Sequence, residues 1–328
     1  MNNYIIRFAN QNDTSSIMQF INDFWRANHI LARNRELFDW QYLSDNKLHF
    51  VLGVDNDNQI QGLIGYIAYD VGDKKDIALA LWKSNPGCGY LGVQILMYLI
   101  QNEPHREIVC TGINMRTTEL VYRKLGFSIG KMKQWYRLSP RECYHIASVK
   151  DSFIPPIHYS ADLDFVRCNS IDELPTELFS DTSCIPYKSK DYFERRYFDH
   201  PIYKYLVYRS HNNNTRSDSV VVLRKEQVDG NCVVRLIDYI GVPADFALLT
   251  SELDHLVKQY DAEYIDMYEF GLSDAELINA GWLCVDEREN IIPNYFSPFE
   301  EKNIEIYCST TNNKALLFRG DGDQDRPN

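Results

Sequence analysis

No stretch of this sequence approaches the about 18 uncharged apolar residues that a membrane-crossing helix requires. The strongly apolar segment Leu91–Ile100 is far too short, so stable membrane insertion is not expected. The opening residues, MNNYIIRFANQNDTSS, have no basic region followed by an apolar run and do not read as a secretory signal. Cysteine pairing motifs are absent too. Cys88, Cys110, Cys143, Cys168, Cys184, Cys232, Cys284 and Cys308 contain no CxxC and are spread evenly. That spacing suits reduced thiols in a cytoplasmic protein better than a disulfide scaffold or a structural zinc site. There is no G-x-S-x-G elbow and no G-x-G-x-x-G opening a dinucleotide-binding unit, which removes the common hydrolase and dehydrogenase readings. Positive charge is in deficit: 34 Lys and Arg stand against 46 Asp and Glu, a formal net charge of -12. Such a chain repels phosphate backbones at long range, so nucleic acid is not an expected partner.

What remains is a globular composition. Hydrophobic residues make up 45%, with 22 Tyr, 16 Phe and 5 Trp. At about 150 residues per domain, 328 residues suggest two domains. The first reads as strand, helix, hairpin, strand, glycine loop, helix, strand, helix and strand. Its landmarks are strands at Tyr4–Phe8, His49–Val54, Gln61–Tyr69, Asp76–Trp82, Glu107–Asn114 and Lys131–Leu138. Asp13 is the expected cap of the first helix, and Tyr90–Ile100 forms a strong apolar helix. Pro155-Pro156 marks a link, after which the pattern restarts. Phe38 then matches Phe193, Tyr42 matches Tyr197, Phe50 matches Tyr205, and Gly126-Phe127 matches Gly281-Trp282, all at one spacing. The repeated order of elements with the same punctuation reads as a tandem duplication. The expected organisation is a first domain over 1–140, a linker over 141–160, a second domain over 161–311 and a polar tail over 312–328. The fold class is α/β in the sense of a mixed α+β sandwich, each domain a mixed central sheet flanked by helices. Asp321, Asp323 and Asp325 alternate in the tail like a calcium loop. They lack the closing Glu and flanking helices, so no metal site is expected; the tail is expected to cap a surface or to pair with nearby Arg.

At Asp76–Ile100 and Asn114–Phe127 the chain resembles the GCN5-related N-acetyltransferases, in which a strand leads through a glycine-rich turn into a helix. The physical logic is that glycines permit a tight turn and close approach, while free amide N–H groups at the helix start stabilise pyrophosphate. Here Gly87-Cys88-Gly89 supplies the turn and Tyr90 the start of the helix, although Ser84 stands where the family usually has Gln or Arg. Asn114, Tyr122 and Gly126-Phe127 match the family's second segment. The resemblance implies acetyl-coenzyme A or another acyl-coenzyme A as donor, with Leu81 and Trp82 offering main-chain N–H to the thioester carbonyl. It implies Asn114 near the pantetheine, or capping the next helix, and Tyr122 as the acid that protonates the leaving thiolate.

The second half keeps the outline but has Gly241-Val242-Pro243-Ala244-Asp245 at the turn and Leu277 where Tyr122 would match. It is therefore expected to be a degenerate repeat that helps form the acceptor pocket. Asp238 and Glu269 are the carboxylates singled out as candidate bases, with Glu36 and Asp70 behind them. Arg235 or Arg196 is the expected partner of Asp238 in a purely structural role. Trp40, Tyr42, Tyr197 and Tyr239 are candidates for stacking, or for packing between the repeats. The two-domain plan is similar to acyltransferases of bacterial surface-polysaccharide assembly. The expected function is acyl transfer from acyl-coenzyme A to a small amine such as a nucleotide-linked amino sugar, by a monomer or homodimer. A non-catalytic assembly protein with two degenerate domains is the main alternative. An aminoacyl transferase of the peptidoglycan-bridge type is disfavoured by the acidic charge, since its donor is a transfer RNA.

Overall fold

Short strands with alternating faces build the amino-terminal half: β1 (Ile5–Phe8), β2 (Phe50–Val54), β3 (Ile60–Ala68), β4 (Ile77–Ser84), β5 (Ile108–Thr111) and β6 (Ser128–Leu138). The computed structural model describes residues 4–159 and 161–327. Helices cover both faces of these strands. On one face lie α1 (Thr14–Phe20), which continues as a π-helical turn over Ile21–Trp25, then α2 (Ile30–Arg33) and α3 (Arg35–Tyr42). They bury Ile17, Phe20, Leu37, Phe38 and Tyr42 against Phe50, Leu52 and Leu63. On the other face α4 (Leu91–Asn102) buries Leu91, Ile95, Leu96 and Leu99 against Val51, Ile64 and Leu79. Neighbouring residues such as Val51 and Leu52 therefore serve opposite cores, as the two-residue period of a strand requires. Each aliphatic side chain fully buried this way contributes about 1.5–3 kcal/mol. Asp13 does not cap α1. Its carboxylate accepts from Arg7 at 2.7 and 2.8 Å and from the Asn10 amide, closing a turn one step earlier.

The second half repeats the plan with β7 (Leu163–Cys168), β8 (Leu206–Asn212), β9 (Ser217–Val228), β10 (Asn231–Ile240), β11 (Ala262–Phe270) and β12 (Leu283–Cys284). Two further strands follow, β13 (Ile306–Thr310) and β14 (Leu317–Phe318). The remaining helices are α5 (Glu119–Lys124), α6 (Lys190–Tyr197), α7 (Thr250–Gln259) and α8 (Asp274–Asn279). In both halves antiparallel neighbours lead to one parallel pair, β4 with β5 and β10 with β11.

These fourteen strands form one mixed sheet, ordered β1-β2-β3-β4-β5-β13-β6-β11-β10-β9-β8-β7, with β12 beside β6 and β14 beside β11; two short ribbons, Leu43–Ser44 with Lys47–Leu48 and Tyr295–Phe296 with Phe299–Glu300, lie outside it. The junction is an exchange. β13, late in the chain, lies between β5 and β6 of the first half. β6 pairs with β13 through Ser128–Met132 and with β11 through Lys133–Leu138. Trp135, Tyr136 and Leu138 are buried where the halves meet, so the sheet runs without a break between them.

Acid sensitivity follows from three buried histidines. His29 accepts from the Leu31 amide, His200 accepts from the Ile202 and Tyr203 amides, and His49 stacks on Tyr66. Burial first, then neighbouring cations, push them down to about 4, 3 and 4 respectively. The unfolded chain takes up these protons near pH 6.5 and the folded chain does not, so stability present above pH 6.5 is lost as pH falls. Three such groups give about 4 kcal/mol per pH unit. Glu269, pushed up to about 7 by burial, works in the opposite sense below neutrality because its folded form takes the proton first. The net expectation is a loss of about 3 kcal/mol per pH unit between roughly 6.5 and 4.5, with unfolding complete before pH 4. Circular dichroism with urea at stepped pH checks this; a flat stability over that interval contradicts it.

Candidate active site

The parallel pair β4–β5 is joined only at its start, with Ile77 opposite Ile108 and Ala78 opposite Val109. Beyond those pairs the two strands separate. On its other side β4 carries a bulge, because the β3–β4 register steps from Leu63–Lys83 to Gly65–Ala80 and leaves Leu81 and Trp82 opposite Ile64 alone. Leu81 has φ +46°, a left-handed conformation that costs a leucine about 1–3 kcal/mol and persists only when its surroundings impose it. A bulge takes its extra residue out of the ladder and re-aims the backbone there. Trp82 fixes the next position: its indole N–H donates to the Gly92 carbonyl at 3.0 Å, tying the end of β4 to the first turn of α4.

The loop between them is Ser84-Asn85-Pro86-Gly87-Cys88-Gly89-Tyr90. Gly87 and Gly89 have φ +86° and +58°, with nothing within 4 Å of where a Cβ would stand, so glycine is set here by backbone conformation and the surrounding space is open. The loop is braced by Asn85 and Cys88, whose side chains both reach Gln61 Oε1, at 3.1 and 3.9 Å. Tyr90 is exposed. α4 begins without a side-chain cap and without an acidic residue in its first turn, which leaves its positive end available to an anion.

β5 leads into Gly112-Ile113-Asn114. Asn114 is exposed; its Oδ1 accepts from the Arg116 amide and its carbonyl from Thr117 and Thr118, so it shapes the turn into α5. On that helix Tyr122 is buried, edge-on to Trp82 with ring centroids 5.7 Å apart. Its hydroxyl donates to Cys110 Sγ at 3.6 Å. Burial, with the Cys110 thiol beside it, raises the Tyr122 phenol well above its ordinary range, so it stays protonated. Burial likewise pushes the Cys110 thiol up to about 12, and the nearby Asp323 carboxylate adds to that push.

The splayed strands open onto a cavity of about 740 Å³. One wall carries Leu79–Lys83, Cys110–Asn114 and Tyr122, and Trp25 from the π-helical turn also lines it. The opposite wall comes from the second half and the tail, with Tyr203, Arg224, Arg235, Asn294, Arg319 and Asp323–Arg326 among its residues. Leu81, Trp82, Asn114 and Tyr122 are therefore brought together on one cavity. Gly87, Cys88, Gly89 and Tyr90 follow Lys83 along the chain but do not line it.

Asp238 and Glu269 are not on that cavity. Asp238 is fully buried, with Lys188 Nζ at 2.6 and 2.7 Å and the Tyr197 hydroxyl at 2.6 Å, so its partner is neither Arg235 nor Arg196. Arg235 instead holds Asp266 at 2.9 and 2.7 Å. Glu269 accepts from the Trp135 indole at 2.8 Å and from the Leu272 amide at 2.9 Å, an arrangement that braces a turn. Trp40 donates to the Arg195 carbonyl and packs on His200, across the junction of the halves.

The tail does not lie in solvent. Asp321 meets Lys188 at 3.0 Å, Asp325 meets Arg224 at 2.6 Å and the Tyr205 hydroxyl at 2.8 Å, and Asp323 pairs with Arg326. Thr111 donates to the Asp321 carbonyl, and Tyr69 accepts from the Gly322 amide. Gly320 donates to the Ile237 carbonyl, and a Cβ there would fall 2.4 Å from the Tyr197 hydroxyl. In the second half, β14 pairs with the end of β11, so the tail occupies the place that the cavity occupies beside β5. Among the described residues no group of three or more His, Cys, Asp or Glu could hold a metal ion, and no helix is long and apolar enough to cross a membrane.

No protein-family model matches the chain, and no curated protein does. Solved structures do. A GCN5-related N-acetyltransferase from Anabaena variabilis aligns over 94% of this chain and 73% of its own, at 11% identity and TM-score 0.53. A protein from Pyrococcus horikoshii aligns over 95% and 91%, at 11% identity and TM-score 0.50. A GCN5-related glucosamine N-acetyltransferase region of a fungal multi-domain GH3 beta-N-acetylglucosaminidase gives 11% identity and TM-score 0.52; the alignment covers 94% of this chain but 38% of that one. The chain therefore has a mixed α+β fold of the GCN5-related N-acetyltransferase type.

Proposed function

We propose that this chain is an acyl-coenzyme A-dependent N-acyltransferase, most simply an N-acetyltransferase, whose acceptor is a small amine such as a nucleotide-linked amino sugar of surface-polysaccharide assembly. The observation that carries this reading is the β4–β5 splay: a bulge at Leu81 and a buried Tyr122 share one wall of a cavity large enough for an acceptor. The residues present suit an acyl-coenzyme A. The open glycine loop at Gly87–Gly89 and the uncapped start of α4 suit its pyrophosphate, and the free edge of β4 suits its pantetheine arm. The bound donor supplies the activated acyl group.

Each chain residue then has a definite task. The main chain at Leu81–Trp82 orients and polarises the acyl carbonyl, for which strain held in place before reaction is an advantage. Tyr122, kept neutral by burial, has a proton to give to sulfur. Asp323 stands on the same cavity and its charge is felt at Cys110, so in this reading it takes the proton from the acceptor's ammonium, directly or through water. Asp238 is a positioning residue that holds the tail through Lys188, and Glu269 braces the turn at Leu272. The second half acts as the acceptor wall, its own splay filled by β14. Incubating the full chain with acetyl-coenzyme A and a panel of amino sugars, free and nucleotide-linked, tests the reading by mass spectrometry. An N-acetylated product that disappears in Asp323→Asn supports it. Equal turnover in that variant removes Asp323 from the mechanism, and no product from any amine removes the amino-sugar acceptor.

A further inference from the structure

Four arginines line the acceptor wall, Arg224, Arg235, Arg319 and Arg326, and they are not equally satisfied. Arg235 takes both oxygens of Asp266, at 2.9 and 2.7 Å, and donates to the Asn294 carbonyl at 2.7 Å. Arg224 takes Asp325 Oδ1 at 2.6 Å and also pairs with Glu226, while the Tyr205 hydroxyl occupies Asp325 Oδ2. The two buried carboxylates are thereby spoken for. Arg319 is the one left over. It is 3% exposed, and a guanidinium has five N–H donors to place. Its Nη1 donates to the Asn294 side-chain oxygen, an uncharged acceptor. Nε and Nη2 have no hydrogen-bond partner, and the nearest carboxylate, Asp266, is 3.6 Å from Nη2.

We infer that Arg319 is the anchor for an anionic group of the acceptor, a phosphate or a carboxylate that enters the cavity and completes the guanidinium's hydrogen bonds. The inference rests on the acyltransfer reading for the word acceptor; the anion site itself rests on Arg319. Arg319 shares its nearest carboxylate, Asp266, with Arg235, which holds both oxygens, so two buried cations lean on one charge, and a forked guanidinium matches the planar edge of a carboxylate or two phosphate oxygens. Arg224 Nε and Arg326 Nε, on the same cavity, are likewise unbonded and extend the donor set. Burial and the neighbouring Arg235 charge lower Arg319 to about 10, a cost that a bound anion would offset. The first-half wall carries Tyr122 and Asp323 borders it, so an acceptor with an amine at one end and an anion at the other spans the cavity. That bipolar shape reconciles an arginine-lined wall with a chain of net charge -12.

Two kinds of measurement test this on the full chain. In the first, thermal stability is followed with inorganic phosphate and with acetate, for the wild type and for Asn294→Asp. That substitution places a carboxylate beside Arg319 Nη1 and gives it a hydrogen-bonded counter-charge that it does not share through Asp266. Wild type is expected to be stabilised by one of the two anions, which identifies the source chemistry, and Asn294→Asp to be at least as stable yet insensitive to both. Arg319→Gln is expected to lose the same response. Wild type indifferent to both anions, or an unchanged response in Asn294→Asp, overturns the inference. In the second, acetyl transfer is compared for glucosamine, glucosamine 6-phosphate and glucosaminic acid. The preferred anionic acceptor is expected to exceed glucosamine in kcat/KM by about 30-fold, mostly through KM, and Arg319→Gln to erase the preference. Equal use of all three by an active wild type also overturns it. Failure of coenzyme A to bind would instead remove the acyltransfer reading and leave the anion response to be judged by itself.

Discussion

Replacing Tyr122 with Phe is expected to lower kcat about 10²–10³-fold while leaving coenzyme A affinity within about twofold, since a positioned general acid contributes on this scale. The substitution removes one oxygen atom and keeps the ring that meets Trp82 at 5.7 Å and Phe127 at 5.2 Å. The lost hydrogen bond is a long one to sulfur, 3.6 Å from Cys110, so the fold should lose little. Thiol leaving-group dependence separates acid catalysis from packing. If Tyr122 protonates sulfur, the variant regains rate with an acyl donor whose thiol has a low pKa. A variant with unchanged kcat would reduce Tyr122 to a core aromatic.

The second large effect lies away from the cavity. Lys188 is buried between Asp238 and Asp321, with Tyr197 on the Asp238 carboxylate. The two carboxylates raise the Lys188 ammonium above its usual range despite burial, while burial and Asp238 raise Asp321. Lys188→Met strands two buried carboxylates and is expected to cost about 3–5 kcal/mol, read as a drop in the urea midpoint. The double variant Lys188→Met/Asp238→Asn should recover part of that loss, because it removes one of the stranded charges. It should also free the tail. Asp321 and its neighbours carry Asp323 into the cavity, so acceptor KM is expected to rise more than coenzyme A affinity falls. A loss under about 1 kcal/mol would mean that the tail is held by its backbone contacts alone.

Part of this molecule was legible in the sequence because the signals are local. The apolar run after Gly89 gives α4, the continuous apolar run Ile77–Trp82 gives β4, and Tyr122 four residues before Gly126 points to the cavity wall. The exchange of strands was not legible. β13 reads as an ordinary strand, and nothing in Ile306–Thr310 says that it lies between β5 and β6, since pairing partners nearly two hundred residues away leave no local pattern. The tail was legible in part. A run of Asp invites arginine partners, as Asp325 with Arg224 and Asp323 with Arg326 show, but nothing local says which arginines, or that Lys188 awaits Asp321. Asp238 drew attention as a polar residue inside an apolar strand, and that signal reported a buried ion pair. The same signal at Arg224 and Arg235 marked residues on the cavity. An ionisable residue in an apolar run thus announces a buried partner, and only the structure says whether that partner is protein or ligand.

Calorimetric titration of the purified full chain with coenzyme A and acetyl-coenzyme A, beside a Gly89→Arg variant, tests the central claim most directly. Gly89 sits at φ +58° in open space, so arginine there strains the loop and projects a long side chain where the pyrophosphate is proposed to lie. One site of roughly micromolar affinity, about -8 kcal/mol, is expected in the wild type and none in the variant. A folded wild-type chain that takes up neither ligand would contradict it, and would leave a GCN5-related fold used for binding or assembly.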